Sequence, residues 1–317
     1  MNTEIKILKP LEEYFDWNKD VLEKIAALKN CQQSKIHHAE GDVYIHTQMV
    51  TDEMKQAVKL KSFSKEKSDL LIMSAILHDI GKPDTTIIDE DSKDWTSPGH
   101  AKLGEKLVRE LLFSNFSIDN REEIAALVRY HGLPIWCEEK ENPDMDVIKA
   151  SLRCNIKELA LLAECDFKGR FCQDLAEMLL RIEMFLERAE NLNCLNSPYE
   201  FSSDWARMHY FFNGGYPGKE IWEPKGGWLT IMCGLPGSGK NTWLRKNHSG
   251  KIVELDAIRK ELKIPHSDKD GQGKVIQEAK ERLRVSLRKG EDVAWNATSL
   301  SEMQRSPIIE LGMLSDA

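Results

Sequence analysis

The chain has 317 residues, 41% hydrophobic and 30% charged, with a net charge of −8. That length favours two domains, each large enough to bury a core, and the balance is globular rather than disordered. The acidic total speaks against a general nucleic-acid binder, and no run approaches the roughly 20 apolar residues of a membrane span.

The charge is unevenly divided. From Lys225 onward 16 Lys and Arg stand against 12 Asp and Glu, and the preceding residues hold 28 against 40. An acidic first part suits metal binding and a basic second part suits anionic substrates, with a merely solvated surface as the alternative. The opening Met1-Asn-Thr-Glu-Ile-Lys6 lacks the apolar core of a signal peptide, so a cytoplasmic setting is expected. Seven cysteines, odd in number and without a CxxC pair, predict reduced thiols rather than a disulfide frame or a structural zinc.

The first part reads as helix after helix. Leu70 to Leu77 is too continuously apolar for a surface helix and predicts a buried one. Segments 103–112, 121–130, 147–163 and 173–190 place apolar residues three and four apart. Asp119-Asn120 and Asn142-Pro143-Asp144 supply turn and N-cap chemistry between them. Strand-like alternation is nearly absent before residue 225. The stretch 202–227, with Asn213-Gly-Gly215, Pro217-Gly218 and Pro224, reads as a connection, too aromatic to be a loose linker. Strands are then expected at 228–233, 252–255 and 292–295, followed by helices near 240–247, 273–289 and 301–314. This alternation predicts a parallel sheet. The expected domains are 1–201, all helical, and 228–317, α/β, joined by 202–227.

The helical part carries a set of imidazoles and carboxylates. His46 lies in a helical context, His78-Asp79 ends the buried helix, His100 and His131 each precede a small residue, and Asp166 closes 161–166. Neutral imidazoles with carboxylates are what a hydrolytic metal site uses, because a cation polarises phosphate and acidifies water. Lys82 and Arg170 are candidates to hold phosphate oxygens, with surface ion pairing as the alternative. His37, His38, His209, His248 and His266 read as ordinary histidines.

In these residues the chain resembles the HD phosphohydrolase superfamily, an all-helical, metal-dependent group. His46, His78, Asp79 and Asp166 look like its four defining ligands, and the words His78-Asp-Ile-Gly-Lys82 and Asp166-Phe-Lys-Gly-Arg170 fit. The resemblance implies that the His78-Asp79 doublet sits between both parts of the metal site. It gives His100 and His131 a second metal or the phosphate, and it makes Asp79 and Lys82 catalytic. Manganese, nickel or cobalt are the expected ions.

Gly234-Leu-Pro-Gly-Ser-Gly-Lys240 follows an apolar strand and opens a helix, the context of a phosphate-binding loop. Gly234, Pro236, Gly237, Ser238, Gly239, Lys240, Asn241 and Thr242 are the candidate nucleotide-binding residues, for ATP or another NTP with magnesium. Asn241 stands where a Ser or Thr hydroxyl ordinarily ligates magnesium; its amide oxygen or Thr242 would have to serve. Asp256 and Arg259, three apart after the second strand, can act as general base and phosphate grip, or as an N-cap with a helical salt bridge. Trp228, Trp243 and Trp295 read as core, with base stacking as the alternative.

This second part is similar to P-loop polynucleotide 5′-hydroxyl kinases, in which the strand-two aspartate is the general base and the downstream arginine contacts the acceptor. Asn296-Ala-Thr298 resembles their next motif. An HD module followed by such a kinase resembles the bacterial RNA end-healing enzymes. That implies hydrolysis of 2′-phosphate and 2′,3′-cyclic RNA ends, phosphorylation of 5′-hydroxyl RNA ends from an NTP, and a link to an RNA ligase. Those kinases continue through two further strands and a lid helix, so the resemblance implies a truncated or engineered form with weak kinase activity. Two other readings stand beside it: an HD nucleotidase fused to a small-molecule or nucleoside kinase, and an ATP-binding sensor that controls the hydrolase.

Overall fold

The computed structural model describes residues 11–15, 18–36, 38–172, 174–222 and 226–315; His37, Pro224 and the two chain ends lie outside the described residues. The chain divides into two compact units, Met1–Glu200 and Phe201–Ala317. No described helix is long and apolar enough to cross a membrane, and all seven cysteines are free.

The first unit is helical. After a 3₁₀ turn at Leu11–Tyr14 come α1 (Lys19–Ala27), α2 (Val43–Leu60) and α3 (Lys65–Leu77), capped by the side chains of Asn18, Asp42 and Ser64. Next are α4 (His100–Leu111), α5 (Ile118–Tyr130), the short α6 (Leu133–Trp136), α7 (Pro143–Ser151), α8 (Ile156–Lys168) and α9 (Leu175–Asn191). Leu71, Ala75, Ile76 and Leu77 are buried among Val50, Met54, Leu127, Leu159 and Leu162, so α3 is the expected interior helix. Ser117, rather than Asp119, caps α5.

Two features differ from the periodicity. The apolar spacing over 147–163 belongs to two helices, because Asn155 caps a new start by accepting from the amides of Lys157 and Glu158. A small antiparallel hairpin, β1 (Ile87–Ile88) with β2 (Trp95–Thr96), occurs where no strand was expected. Two-residue strands are too short to alternate visibly.

The second unit begins with α10 (Asp204–Asn213), a helix inside the stretch read as a connection, capped by Ser203. The P-loop strand β3 (Leu229–Ile231), α11 (Lys240–Asn247), β4 (Lys251–Glu254), α12 (Leu255–Leu262), α13 (Lys269–Arg288), β5 (Val293–Asn296) and α14 (Glu302–Met313) follow. The sheet is wholly parallel, in order β3-β5-β4. This is the α/β arrangement of a P-loop domain. Val253, Val275, Ala279, Leu283, Val293, Trp295 and Ile308 form its core. Of the three tryptophans read as core only Trp295 is buried; Trp228 is 80% and Trp243 48% exposed. Trp228 stands just before Leu229, the first residue of the half-buried β3, and its side chain faces out.

Candidate metal centre and phosphate-binding loop

Five helices of the first unit deliver the ligand set. His46 projects from the first turn of α2, His78 is the C-cap of α3 with Asp79 next, His131 is the C-cap of α5, and Asp166 lies in α8. His100 opens α4 and is partly exposed, whereas the others are buried. The ligand atoms of His46, His78 and Asp79 lie within 4.8 Å of one another, and so do those of Asp79, His100 and His131.

Asp79 joins the two groups. Its Oδ2 is 3.1 Å from His78 Nε2 and 3.7 Å from His46 Nε2, and its Oδ1 is 3.5 Å from His100 Nε2 and 3.9 Å from His131 Nε2. Asp166 Oδ1 closes the first group at 3.0 Å from His46 Nε2.

The imidazole tautomers follow from their outer hydrogen bonds. His78, His100 and His131 each hold Nδ1 2.7 Å from a backbone carbonyl three residues earlier, Ala75, Ser97 and Val128. A carbonyl only accepts, so each Nδ1 carries hydrogen, and in the neutral ring each Nε2 turns a lone pair inward. His46 Nδ1 is 3.3 Å from the Gly169 carbonyl and 3.2 Å from Glu40 Oε1, with the same consequence. His46 and His78 therefore face each other through Nε2 atoms 3.4 Å apart, and His100 and His131 at 3.3 Å. Both Asp79 oxygens are buried and accept no hydrogen bond; Lys82 Nζ, 2.7 Å from Oδ2, offers charge without hydrogen-bond alignment. Facing lone pairs around a buried carboxylate whose oxygens accept no hydrogen bond are satisfied by a cation, and this donor set fits a divalent transition metal.

The electrostatics agree. Burial opposes a charge on His78 and on Asp79 alike, yet Asp79 and Asp166 raise the His78 imidazole, and the charges of His78 and Lys82 hold the Asp79 carboxyl well below the usual range; a bound cation would take the place of the His78 proton. Asp166 is lowered likewise, against burial, by Arg170 and His46. Burial pushes the His131 imidazole down to about 3, which keeps it neutral and able to ligate.

Lys82 and Arg170 both line the cavity over these ligands, and both are ion-paired within it. Lys82 donates to Gln33 Oε1 at 2.8 Å beside its contact with Asp79, and Arg170 grips both oxygens of Asp166 at 2.7 and 2.6 Å. The cavity is about 540 Å³, with Trp95 of the hairpin, Trp136 and Lys140 also in its wall.

Glu40 and Gln33 also belong to the site, although no sequence motif points to them. Glu40 has a fully buried side chain between the ring nitrogens of His38 and His46, which takes His38 out of the class of ordinary histidines. Neither Glu40 nor Gln33 sits in a periodic segment; only the His38-Ala-Glu40 spacing beside a ligand helix hints at one of them. His209 and His248 lie outside both sites, and exposed His266 Nε2 is 3.8 Å from Asp256 Oδ1.

In the second unit, loop 232–239 links β3 to α11, with Gly237 and Gly239 at φ +80° and +88°, left-handed values that glycine adopts without strain. Lys240 Nζ folds back onto the carbonyls of Gly234 and Leu235, each at 2.9 Å. Pro236, Gly237, Gly239, Lys240, Asn241 and Thr242 line a cavity of about 700 Å³ together with Asp256, Arg259 and Asn296 to Thr298. Gly234 and Ser238 do not line it; the Gly234 amide donates to the Thr298 carbonyl at 2.9 Å. Asp256 and Arg259 are paired, and Arg259 Nε also donates to Gln272 at 2.7 Å.

Residues 43–166 match the family model of the HD domain, and residues 229–313 match that of an AAA domain. The chain thus joins a helical HD phosphohydrolase domain to a P-loop, kinase-like α/β domain. No curated protein matches it.

Proposed function

We propose that the chain heals RNA ends: the HD domain hydrolyses 2′-phosphate and 2′,3′-cyclic phosphate termini, and the P-loop domain transfers the γ-phosphoryl group of an NTP to 5′-hydroxyl RNA. The hydrolase spans 1–201, the kinase 228–317, and 202–227 connects them. The observation that carries the hydrolase reading is Asp79, a buried carboxylate with no hydrogen bond between two pairs of inward-facing imidazoles.

His46, His78, Asp79 and Asp166 would hold one divalent ion, and Asp79, His100 and His131 a second. Such ions, manganese, nickel or cobalt, polarise a phosphate ester and lower the pKa of an attacking water. Lys82 and Arg170 line the cavity beside the ligands and would take phosphate oxygens by charge. Trp95 and Trp136 in the same wall give a nucleobase a surface to stack on.

In the second domain Lys240 and the loop amides would bind the NTP phosphates with magnesium. Asp256 would take the proton of the acceptor hydroxyl, and Arg259 would hold the acceptor phosphate. The two activities together leave a free ribose hydroxyl and a 5′-phosphate, the ends that an RNA ligase joins.

The test is hydrolysis of 2′-phosphate-terminated RNA against free nucleoside monophosphates, with manganese, nickel or cobalt, using Asp79→Ala beside the parent. Release of phosphate from RNA that Asp79→Ala abolishes while still folded supports the reading. Preference for free nucleotides would favour a nucleotidase. ATP binding that alters hydrolysis without kinase turnover would favour a sensor.

A further inference from the structure

Asn241 occupies the P-loop position whose hydroxyl ordinarily ligates magnesium, and its amide is committed to the protein. Its Oδ1 accepts from Asn296 Nδ2 at 2.8 Å, and its Nδ2 donates to Glu254 Oε1 at 3.1 Å. Glu254 and Asn296 are the paired last residues of β4 and β5, so the sheet fixes both ends of this chain of contacts. Glu254 lines the same cavity as Lys240. The cavity's other carboxylate, Asp256, is neutralised by Arg259, whereas no basic side chain pairs with Glu254 among the described residues.

We infer that Glu254 supplies the protein oxygen for the nucleotide's magnesium, and that Asn241 positions Glu254 rather than ligating the ion itself. Magnesium is a hard cation that favours charged oxygen over an amide carbonyl already accepting a hydrogen bond. Asn241 holds one carboxylate oxygen and leaves the other to the cavity. The residue that departs from the P-loop pattern thereby recruits an acid from the neighbouring strand. The inference rests on reading the second domain as an NTP site.

The experiment is equilibrium binding of a fluorescent ATP analogue to the full chain, with magnesium and with EDTA, for the parent, Glu254→Gln and Asn241→Ala. The parent gains affinity from magnesium, about tenfold or more. Glu254→Gln loses that gain, while its EDTA affinity stays equal or rises, because a negative charge near the phosphates is gone. Asn241→Ala, which frees the carboxylate without removing it, loses only part of the gain. A full magnesium gain in Glu254→Gln overturns the inference, as does complete loss in Asn241→Ala with retention in Glu254→Gln. A parent chain that binds no analogue in either condition overturns the NTP reading as well.

Discussion

Glu40 Oε1 lies 3.2 Å from His46 Nδ1, and His46 Nε2 points at Asp79 and Asp166 on the other side of the ring. The same oxygen is 2.8 Å from His38 Nδ1, and the Phe171 amide donates to Oε2 at 3.0 Å. Burial alone would raise the Glu40 carboxyl; hydrogen bonds from His38 and His46 instead hold it well below its usual value. A buried anion behind a ligand histidine fixes its tautomer and its aim, and losing such a partner typically costs about 10–100-fold in metal affinity. Glu40→Gln should therefore weaken manganese binding by roughly that factor, read by competition with a chelating dye, with an unaltered helical circular dichroism spectrum. Unchanged affinity would assign Glu40 to local packing only.

Gly81 allows the His-Asp end of α3 to meet α4. A Cβ there would lie 2.3 Å from the His100 carbonyl oxygen and 2.9 Å from the Gly104 amide nitrogen, both backbone atoms that cannot step aside. Gly81→Ala should force α4 away, costing about 1–3 kcal/mol in urea unfolding. It should also reduce the amount of metal bound, since His100 moves with α4. Wild-type stability in Gly81→Ala would contradict the packing.

Glu158 gives a pH signature away from the metal centre. Burial and the neighbouring Glu123 raise its carboxyl to about 7, against the opposing charge of Lys67. A carboxyl raised on folding favours the protonated native state. Its stabilising effect is complete below the unfolded value near 4.5 and is lost as pH climbs through about 7. The chain should lose on the order of 1–2 kcal/mol between pH 5 and pH 8 through this group, and Glu158→Gln should flatten that slope. An identical slope in the variant, by urea unfolding at each pH, would show that Glu158 is not its source.

Lys240 holds the two loop carbonyls, contacts that phosphate oxygens would replace. Lys240→Ala should lower affinity for an ATP analogue by about tenfold or more, while hydrolysis of 2′-phosphate RNA stays unchanged. Parallel loss of both activities would mean that the two sites are coupled.

Much of this was legible in the residues. The P-loop announces itself because strand, glycines and lysine are contiguous in sequence. His46, His78, Asp79 and Asp166 are spread over 120 residues yet sit in recognisable local words, and the structure brings them together. Glu40 was not legible, since a loop acid that acts by folding against another helix leaves no periodic trace. The hairpin that carries Trp95 was hidden by strands two residues long, and the restart of α8 by apolar spacing that runs unbroken across Leu152 to Asn155. The exposure of Trp228 and Trp243 depends on where each strand and helix begins, which spacing fixes poorly.

On this geometry two cation positions share Asp79. A crystal soaked in manganese, examined by anomalous scattering, reads it directly. One peak is expected among His46, His78, Asp79 and Asp166 and a second among Asp79, His100 and His131. Peaks elsewhere in the chain, with these side chains left without metal, would contradict it.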